Sequence, residues 1–286
     1  MKTALITGGS AGLGKITATR LAKEGYRVLI AARDREKGEA VAQQIREETG
    51  NQEVRFFAVD MSDAAQVSAL AAEVKAHTDV IDRLILNAGL FTQRIRTNAA
   101  GQEYMFAATH LGHFQLTHEC FALLKASEEA RVIVTSSVAH WVGTRLDFFD
   151  TIEHPPRGDR FGLRQFYLYG RSKLANILFV NGLEKRLQGT NIRAFAFHPG
   201  GVKTEFYRQF PDWVTRIFFP FLISEEKGAD TQIWLALDTD PARRGGYWVR
   251  RKPGIRSRAS RDEELSERLW EVSETMTGIA EFGAAD

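Results

Sequence analysis

The stretch TALITGGSAGLG, residues 3–14, predicts a buried strand, a glycine-rich turn and the first turn of a helix. Glycines in such a turn let backbone N–H groups approach a phosphate closely, and the helix N-terminus adds a favourable dipole. The spacing is TGxxxGxG, which differs from the GxGxxG of other dinucleotide-binding folds. The sequence therefore predicts a dinucleotide-binding turn made by Gly8, Ser10, Gly12, Leu13 and Gly14.

Short apolar stretches of strand length recur along the rest of the chain. They are RVLIAA (27–32), VRFFAV (54–59), RLILN (83–87), RVIVTS (131–136) and IRAFAF (192–197). Between them lie segments rich in Ala, Leu, Glu, Lys and Gln, which is typical of helices. Strands that are apolar throughout and alternate with helices predict right-handed crossovers and a doubly wound, mostly parallel α/β sheet of Rossmann type. Because no repeat or linker interrupts the pattern, we predict a single domain over residues 1–286.

The composition is that of an ordinary globular protein. Of 286 residues, 44% are hydrophobic and 26% are charged, which excludes a disordered or fibrous chain. The 38 basic and 36 acidic residues nearly balance, so the net charge demands no polyanionic partner.

Cys120 is the single cysteine, so we expect a reducing compartment. No apolar stretch has the length of a membrane span and no signal peptide is recognisable, so we predict a cytoplasmic protein.

The end of the second predicted strand indicates which dinucleotide binds. An NAD site places a carboxylate there to bind the ribose 2′-hydroxyl. Here Ala32 takes that position and Arg33 follows it. A guanidinium can bind a 2′-phosphate through paired hydrogen bonds, whereas a carboxylate would repel it. We therefore predict NADP(H) in preference to NAD(H); the alternative is a solvent-exposed arginine with Asp34 as its partner.

Tyr169 and Lys173 lie four residues apart in YGRSK, which we expect to open a long helix. Residues at this spacing share a helix face. An ammonium about 6 Å from the phenol, at an effective dielectric of about 20, favours the phenolate by about 2.8 kcal/mol, or about two pKa units. The tyrosine then comes within range of acid–base catalysis. Ser137 follows the fifth predicted strand, and its hydroxyl at that edge of the sheet could donate to a substrate carbonyl.

Together these motifs resemble the short-chain dehydrogenase/reductase family. TGGSAGLG, NAG (87–89), Ser137, YGRSK (169–173) and HPG (198–200) occur in the family's order and spacing. The closer resemblance, to the retinol-dehydrogenase-like and WW-domain-oxidoreductase-like branch, is carried by HLGHF (110–114), YGRSKLANILF (169–179), HPGGVKTE (198–205) and ERLWEVSE (267–274). The resemblance covers about residues 3 to 278. It implies reversible hydride transfer between a nicotinamide and a carbonyl or alcohol carbon.

The resemblance also implies roles for individual residues. Tyr169 would be the acid/base, Lys173 would lower its pKa and bind the nicotinamide ribose, and Ser137 would orient the substrate oxygen. The implied cofactor contacts are Asp60 and Met61 beside the adenine, Asn87, Ala88 and Gly89 in support of the cofactor, and Pro199, Gly200, Val202 and Thr204 along the nicotinamide.

One position departs from the branch. Thr109 stands where the branch usually has an asparagine, which in the family bends the helix and holds a water that links the lysine ammonium to solvent. A threonine hydroxyl can also bond a helix carbonyl and hold a water. We therefore hypothesise a modified proton relay through Thr109.

Two segments break the alternation of strands and helices. Residues 146–168 and 205–225 are predicted to form loops over the active site. The second is so rich in aromatic residues that three interpretations stay open: a lid over an apolar substrate, a helix packed on the domain or at a subunit interface, and a peripheral membrane contact. A homodimer through the long helices is the expectation taken from the family.

Two further features have ordinary explanations. His110 and His113 are interpreted as helix-packing residues, because no carboxylate or cysteine at a usual spacing completes a metal site. The eight basic residues within 243–261 are interpreted as a solvated face. No recognition motif accompanies them, so we predict no nucleic-acid binding.

The predicted function is therefore an NADP(H)-dependent oxidoreductase that acts on a medium-sized, largely apolar carbonyl or alcohol. One alternative is a non-catalytic dinucleotide-binding regulator that uses the 205–225 surface to hold a partner, for which Thr109 is the only support. The other alternative is a reductase of a carbon–carbon double bond. It is less favoured, because no extra cysteine lies near the active-site motifs.

Overall fold

A computed structural model describes residues 1–143, 148–156, 162–202, 222–238 and 245–283. Within these residues eight strands form one sheet in the order β3-β2-β1-β4-β5-β6-β7-β8. The strands are β1 (Thr3–Thr7), β2 (Arg27–Ala32), β3 (Val54–Ala58), β4 (Arg83–Leu86), β5 (Ala130–Thr135), β6 (Ile192–His198), β7 (Tyr247–Val249) and β8 (Lys252–Pro253). All neighbours pair in parallel except β7 and β8, which are antiparallel. The six strands expected from the apolar stretches are confirmed, and the sequence pattern missed β7 and β8.

Helices connect and cover the strands. They are α1 (Gly12–Lys23), α2 (Arg35–Thr49), α3 (Ala64–His77), α4 (Tyr104–Phe106), α5 (Gly112–Glu119), α6 (Phe121–Lys125), α7 (Asp150–Glu153), α8 (Leu163–Arg186), α9 (Glu225–Leu237) and α10 (Glu263–Thr277). A π-helix over Ala107–Leu111 joins α4 to α5, and short 3₁₀ helices span Val138–Trp141 and Ala259–Arg261.

Both faces of the sheet are buried, which explains why its strands are apolar throughout. All five residues of β1 are buried. Successive side chains of a strand point to opposite faces. Leu5 therefore packs with residues of α3, α5 and α8 on one face. Ala4 and Ile6 pack with residues of α1, α2 and α9 on the other face. The predicted doubly wound α/β fold is confirmed.

The strand order places a crevice at the carboxyl ends of β1 and β4. Ile6 of β1 lies opposite Ile30 of β2 on one side and Ile85 of β4 on the other. The chain continues from β2 to β3 in one direction and from β4 to β5 and β6 in the other. Ligands of open α/β sheets bind at such a switch point. The glycine turn after β1 lies there.

The long helix α8 starts earlier than the sequence suggested. It begins at Leu163 rather than at Tyr169, after an extended Gly162 whose N–H donates to the side chain of Gln165. Residues 163–168 were expected to be part of a loop, and the expectation was wrong because Leu168 is buried against Phe91 and Met105. The short helix α7 also lies in the part of 146–168 expected to be loop.

Most of the second expected loop, 205–225, lies outside the described residues, and Glu225 begins α9. Among the residues that the structure describes, no helix combines the length and the apolarity that a membrane span requires.

Candidate active site

A cleft of about 780 Å³ opens at the carboxyl ends of the strands, from β2 and β3 at one end to β6 at the other. Most of the residues predicted from the sequence line it. These are Gly8, Ser10, Gly12, Leu13, Arg33, Asp60, Met61, Asn87, Ala88, Gly89, Ser137, Tyr169, Lys173, Pro199, Gly200 and Val202. Gly14 and Thr109 lie behind this lining, and Thr204 lies outside the described residues.

The glycine turn brings β1 close to the start of α1. Gly8 has a left-handed backbone (φ +66°), and its N–H donates to Ala31 O at 2.7 Å. A Cβ on Gly14 would lie 2.3 Å from Gly8 O, so a side chain there would push the helix away from the turn. The residue before α1 is Ala11, whose methyl group cannot cap the helix. The first-turn N–H groups therefore face the cleft without a capping side chain, as an anion site requires.

A buried hydrogen-bond network holds the turn against β4. Thr7 Oγ1 accepts the backbone N–H groups of Asn87 and Ala88, each at 3.0 Å. Its own proton is directed to His113 Nε2 at 2.9 Å, because the alternative acceptor, Ile85 O, is 3.5 Å away. His113 Nδ1 must then carry the ring proton and donate to Thr109 O at 3.0 Å. Burial, together with the Lys173 charge, lowers the pKa of His113 to about 3, so the ring is neutral.

At the end of the cleft that β2 and β3 form, basic residues follow β2. Asp34 does not serve as the partner of Arg33; it caps α2 by accepting the N–H of Lys37 at 3.0 Å. Arg33 Nη1 instead donates to the Tyr104 hydroxyl at 3.1 Å. Lys37 also lines the cleft, and the sequence analysis missed it. Its position four residues after Arg33, in the first turn of a predicted helix, was the available signal.

Tyr169, Lys173 and Ser137 line the opposite end of the cleft. Lys173 is 3% exposed, and its Nζ donates to Thr135 O at 3.1 Å and lies 5.6 Å from the centroid of the Tyr169 ring. Burial lowers the pKa of Lys173 to about 7. Ser137 begins the 3₁₀ helix after β5, and its Oγ accepts the Ala139 N–H at 3.2 Å. That bond leaves the serine proton available for donation.

Thr109 lies in the π-helix, fully buried, behind Gly89. A Cβ placed on Gly89 would lie 3.0 Å from Lys173 Nζ and 3.9 Å from Thr109 Oγ1. The lysine ammonium and the threonine hydroxyl therefore both border the space that a side chain at Gly89 would occupy. Among the described residues, Thr109 Oγ1 has no hydrogen-bond partner.

Several cleft residues were not among the predicted site residues. Leu90, Val138 and Phe166 contribute apolar surface, and His198 lines the far end. Phe166 lies three residues before Tyr169 on α8, and it was missed because the sequence analysis expected the helix to open only at Tyr169. Burial is the main cause that lowers the pKa of His198 to about 4. The other two histidines considered in the sequence are far from a metal geometry: His110 Nε2 lies 2.8 Å from Ser273 Oγ, and His113 contacts Thr7.

A parallel sheet with a glycine turn and a cleft at its switch point defines the doubly wound, dinucleotide-binding class of α/β proteins. The family model for short chain dehydrogenases matches residues 2–146. Retinol dehydrogenase 12 of Mus musculus is 40% identical over 282 residues, which cover 97% of this chain and 87% of that protein. The chain therefore belongs to the short-chain dehydrogenase/reductase family, in its retinol-dehydrogenase-like branch, and is an oxidoreductase, as the sequence predicted.

Solved structures agree with this assignment. A protein from Mycobacterium paratuberculosis has 30% sequence identity and a TM-score of 0.76, with 97% of this chain and 94% of that chain covered. RhlG of Pseudomonas aeruginosa, solved as an NADP complex, has 26% identity and a TM-score of 0.64, with 82% of this chain and 89% of that chain covered.

Proposed function

We propose that this protein is an NADP(H)-dependent oxidoreductase of apolar carbonyl or alcohol substrates, with Tyr169 as the acid/base. The observation that carries the proposal is that one cleft has basic side chains at one end and the candidate catalytic side chains at the other. Arg33 and Lys37 line its adenosine end, and Ser137, Tyr169 and Lys173 line the other. The glycine turn lies between them, so one extended dinucleotide reaches both.

The residues of the cleft fit a phosphorylated dinucleotide. The uncapped start of α1 suits the pyrophosphate, and Ala32 leaves the end of β2 without the carboxylate expected of an NAD site. Arg33 and Lys37 supply positive charge where a 2′-phosphate would lie. The related RhlG structure is an NADP complex, which supports the same preference. When bound, the reduced nicotinamide supplies a hydride.

The catalytic residues would donate the proton that must reach the substrate oxygen when the hydride reaches the carbonyl carbon. The Ser137 hydroxyl donates a hydrogen bond to the substrate carbonyl oxygen and holds it in place. Tyr169 gives its phenolic proton to the same oxygen as negative charge develops there, and in the alcohol direction takes it back. A charged Lys173, whose Nζ lies 5.6 Å from the centroid of the Tyr169 ring, attracts the phenolate and so favours loss of the phenolic proton. The Thr109 hydroxyl has no hydrogen-bond partner among the described residues and borders the same space beside Gly89 as Lys173 Nζ, so we expect it to take part in returning the proton from solvent.

Apolar side chains beside Tyr169 indicate the substrate class. Leu90, Val138 and Phe166 line the cleft there, and the Phe91 ring packs edge-on against Tyr169 with centroids 5.9 Å apart. Burying such surface against an apolar substrate is favourable. The similarity to retinol dehydrogenase 12 points to the same lipophilic class. The cytoplasmic location, the homodimer and the membrane contact stay predictions.

The test is ligand-induced thermal stabilisation by NADPH and NADH in wild type, Arg33→Ala and Tyr169→Phe. At 100 times its Kd, a ligand stabilises the folded state by about 2.7 kcal/mol. We expect a large shift with NADPH that falls in Arg33→Ala and persists in Tyr169→Phe. Turnover of apolar aldehydes, including retinaldehyde, should then be lost in Tyr169→Phe. No shift with either nucleotide would exclude the cofactor assignment.

A further inference from the structure

The Tyr104 hydroxyl connects two charged residues at the adenosine end of the cleft. It accepts a hydrogen bond from Arg33 Nη1 at 3.1 Å and donates one to Asp60 Oδ2 at 3.0 Å. A guanidinium can only donate and a carboxylate can only accept, so the direction of both bonds is fixed. The other Asp60 oxygen accepts the N–H and hydroxyl of Ser62 at 2.9 and 2.8 Å.

Asp60 keeps its charge in this arrangement. Burial opposes ionisation of its carboxyl group, but the hydrogen bonds from Ser62 and Tyr104 and the Arg33 charge outweigh it and lower the pKa. The carboxylate therefore remains an acceptor for the phenol near neutral pH, and the phenol keeps its lone pair directed at Arg33.

Tyr104 is itself held in place before any ligand arrives. The Arg96 guanidinium lies 4.4 Å from the centroid of its ring, and the Tyr104 N–H donates to Arg96 O at 2.9 Å. Glu103, the preceding residue, accepts the N–H groups of Met105 and Phe106 and pairs with Arg171 of α8 at 3.1 Å. Both side chains of that ion pair are fully buried, so the start of α4 is anchored to the helix that carries Lys173.

We propose that Tyr104 is a positioning residue for cofactor specificity: its hydroxyl orients the Arg33 guanidinium toward the 2′-phosphate of NADP(H). The bond to the phenol uses one of the five guanidinium N–H donors. Asp60 acts on Arg33 through a neutral phenol, so the guanidinium charge is not cancelled by a direct ion pair. An exposed arginine that is already oriented loses less side-chain entropy when the phosphate binds. The inference rests on the proposed preference for NADP(H).

The experiment is a double-mutant cycle read by calorimetric Kd values for NADP⁺ and NAD⁺, without turnover. We expect Tyr104→Phe to weaken NADP⁺ binding about fivefold, as the loss of one modest hydrogen bond does, and to leave NAD⁺ within about twofold. In the Arg33→Ala background, the same substitution should change neither Kd further. The fragments should show the same difference: Tyr104→Phe should weaken binding of 2′,5′-ADP, which carries the 2′-phosphate, and should leave binding of 5′-AMP nearly unchanged. Unchanged NAD⁺ binding shows that the variant is folded.

Lys37→Ala supplies the matched control, because Lys37 lines the same cleft and its loss removes a positive charge, as Arg33→Ala does. In the Lys37→Ala background, Tyr104→Phe should still raise the Kd for NADP⁺ about fivefold. Equal loss for both nucleotides, or the same loss with and without Arg33, would overturn the positioning role alone. A wild-type protein that binds NADP⁺ and NAD⁺ equally would overturn the cofactor preference, and this inference with it.

Discussion

Replacing Lys173 with methionine removes a buried ammonium beside Tyr169 while keeping most of the side-chain length. Burial lowers the pKa of Lys173 to about 7 in the folded protein, whereas a lysine in an unfolded chain titrates near pH 10.4. Between these values the unfolded state binds a proton that the folded state lacks, so raising the pH stabilises the folded state in that window. From pH 7 to pH 9 this linkage amounts to about 2 kcal/mol in the free energy of unfolding.

Urea unfolding at pH 7, 8 and 9, followed by tryptophan fluorescence, measures the effect. With a slope of about 2 kcal/mol per molar urea, the wild-type midpoint should rise by about 1 M from pH 7 to pH 9. Lys173→Met should lose that rise, and Lys252→Met, at an exposed position on β8, should keep it. Burial raises the pKa of Cys120 to about 12, which works against stability from about pH 8 upward, but this contribution is common to all variants and cancels when they are compared.

Parallel pH dependences in wild type and Lys173→Met would refute the reasoning. They would mean that Lys173 stays protonated in the folded protein despite its burial. The same result would extend the pH range over which its charge can support a phenolate at Tyr169.

Three further predictions concern the turn and the catalytic end. Tyr169→Phe should retain NADPH binding and lower kcat by about 100-fold or more, measured with an apolar aldehyde; near-normal turnover would remove Tyr169 from its role. Thr109→Val keeps the shape but removes a buried hydroxyl that has no partner in the described part of the chain, so thermal unfolding should show about 1 kcal/mol more stability. The same variant should lower kcat, with Thr109→Ser near wild type, and an unchanged kcat would exclude the relay. Gly14→Ala should destabilise the fold by about 1 to 3 kcal/mol and weaken nucleotide binding in calorimetry, because the new methyl group meets Gly8 O; normal affinity would contradict this account of the turn.

Local patterns were sufficient for most of the architecture. Apolar stretches of five or six residues located β1 to β6, because a parallel strand covered on both faces is hydrophobic at nearly every position. The same stretches placed the glycine turn, Arg33, Asn87 and Ser137 at one edge, since parallel strands share their carboxyl ends. The four-residue spacing of Tyr169 and Lys173 required only that their segment be helical. The short strands β7 and β8 were missed because their five residues together carry too little periodicity.

Tertiary structure decided the contacts between residues distant in the chain. Arg33 contacts Tyr104 across 71 positions, and Thr7 contacts His113 across 106. The start of α8 at Leu163 likewise depends on the packing of Leu168 against Phe91. Hydrophobic periodicity predicts whether a residue is buried. It does not predict a hydrogen bond between two distant side chains, because that bond depends on how separate helices and strands pack together. The sequence by itself therefore determined the class of fold and the chemical groups at the cleft, whereas the packing of α4, the π-helix and α8 determined which groups orient one another.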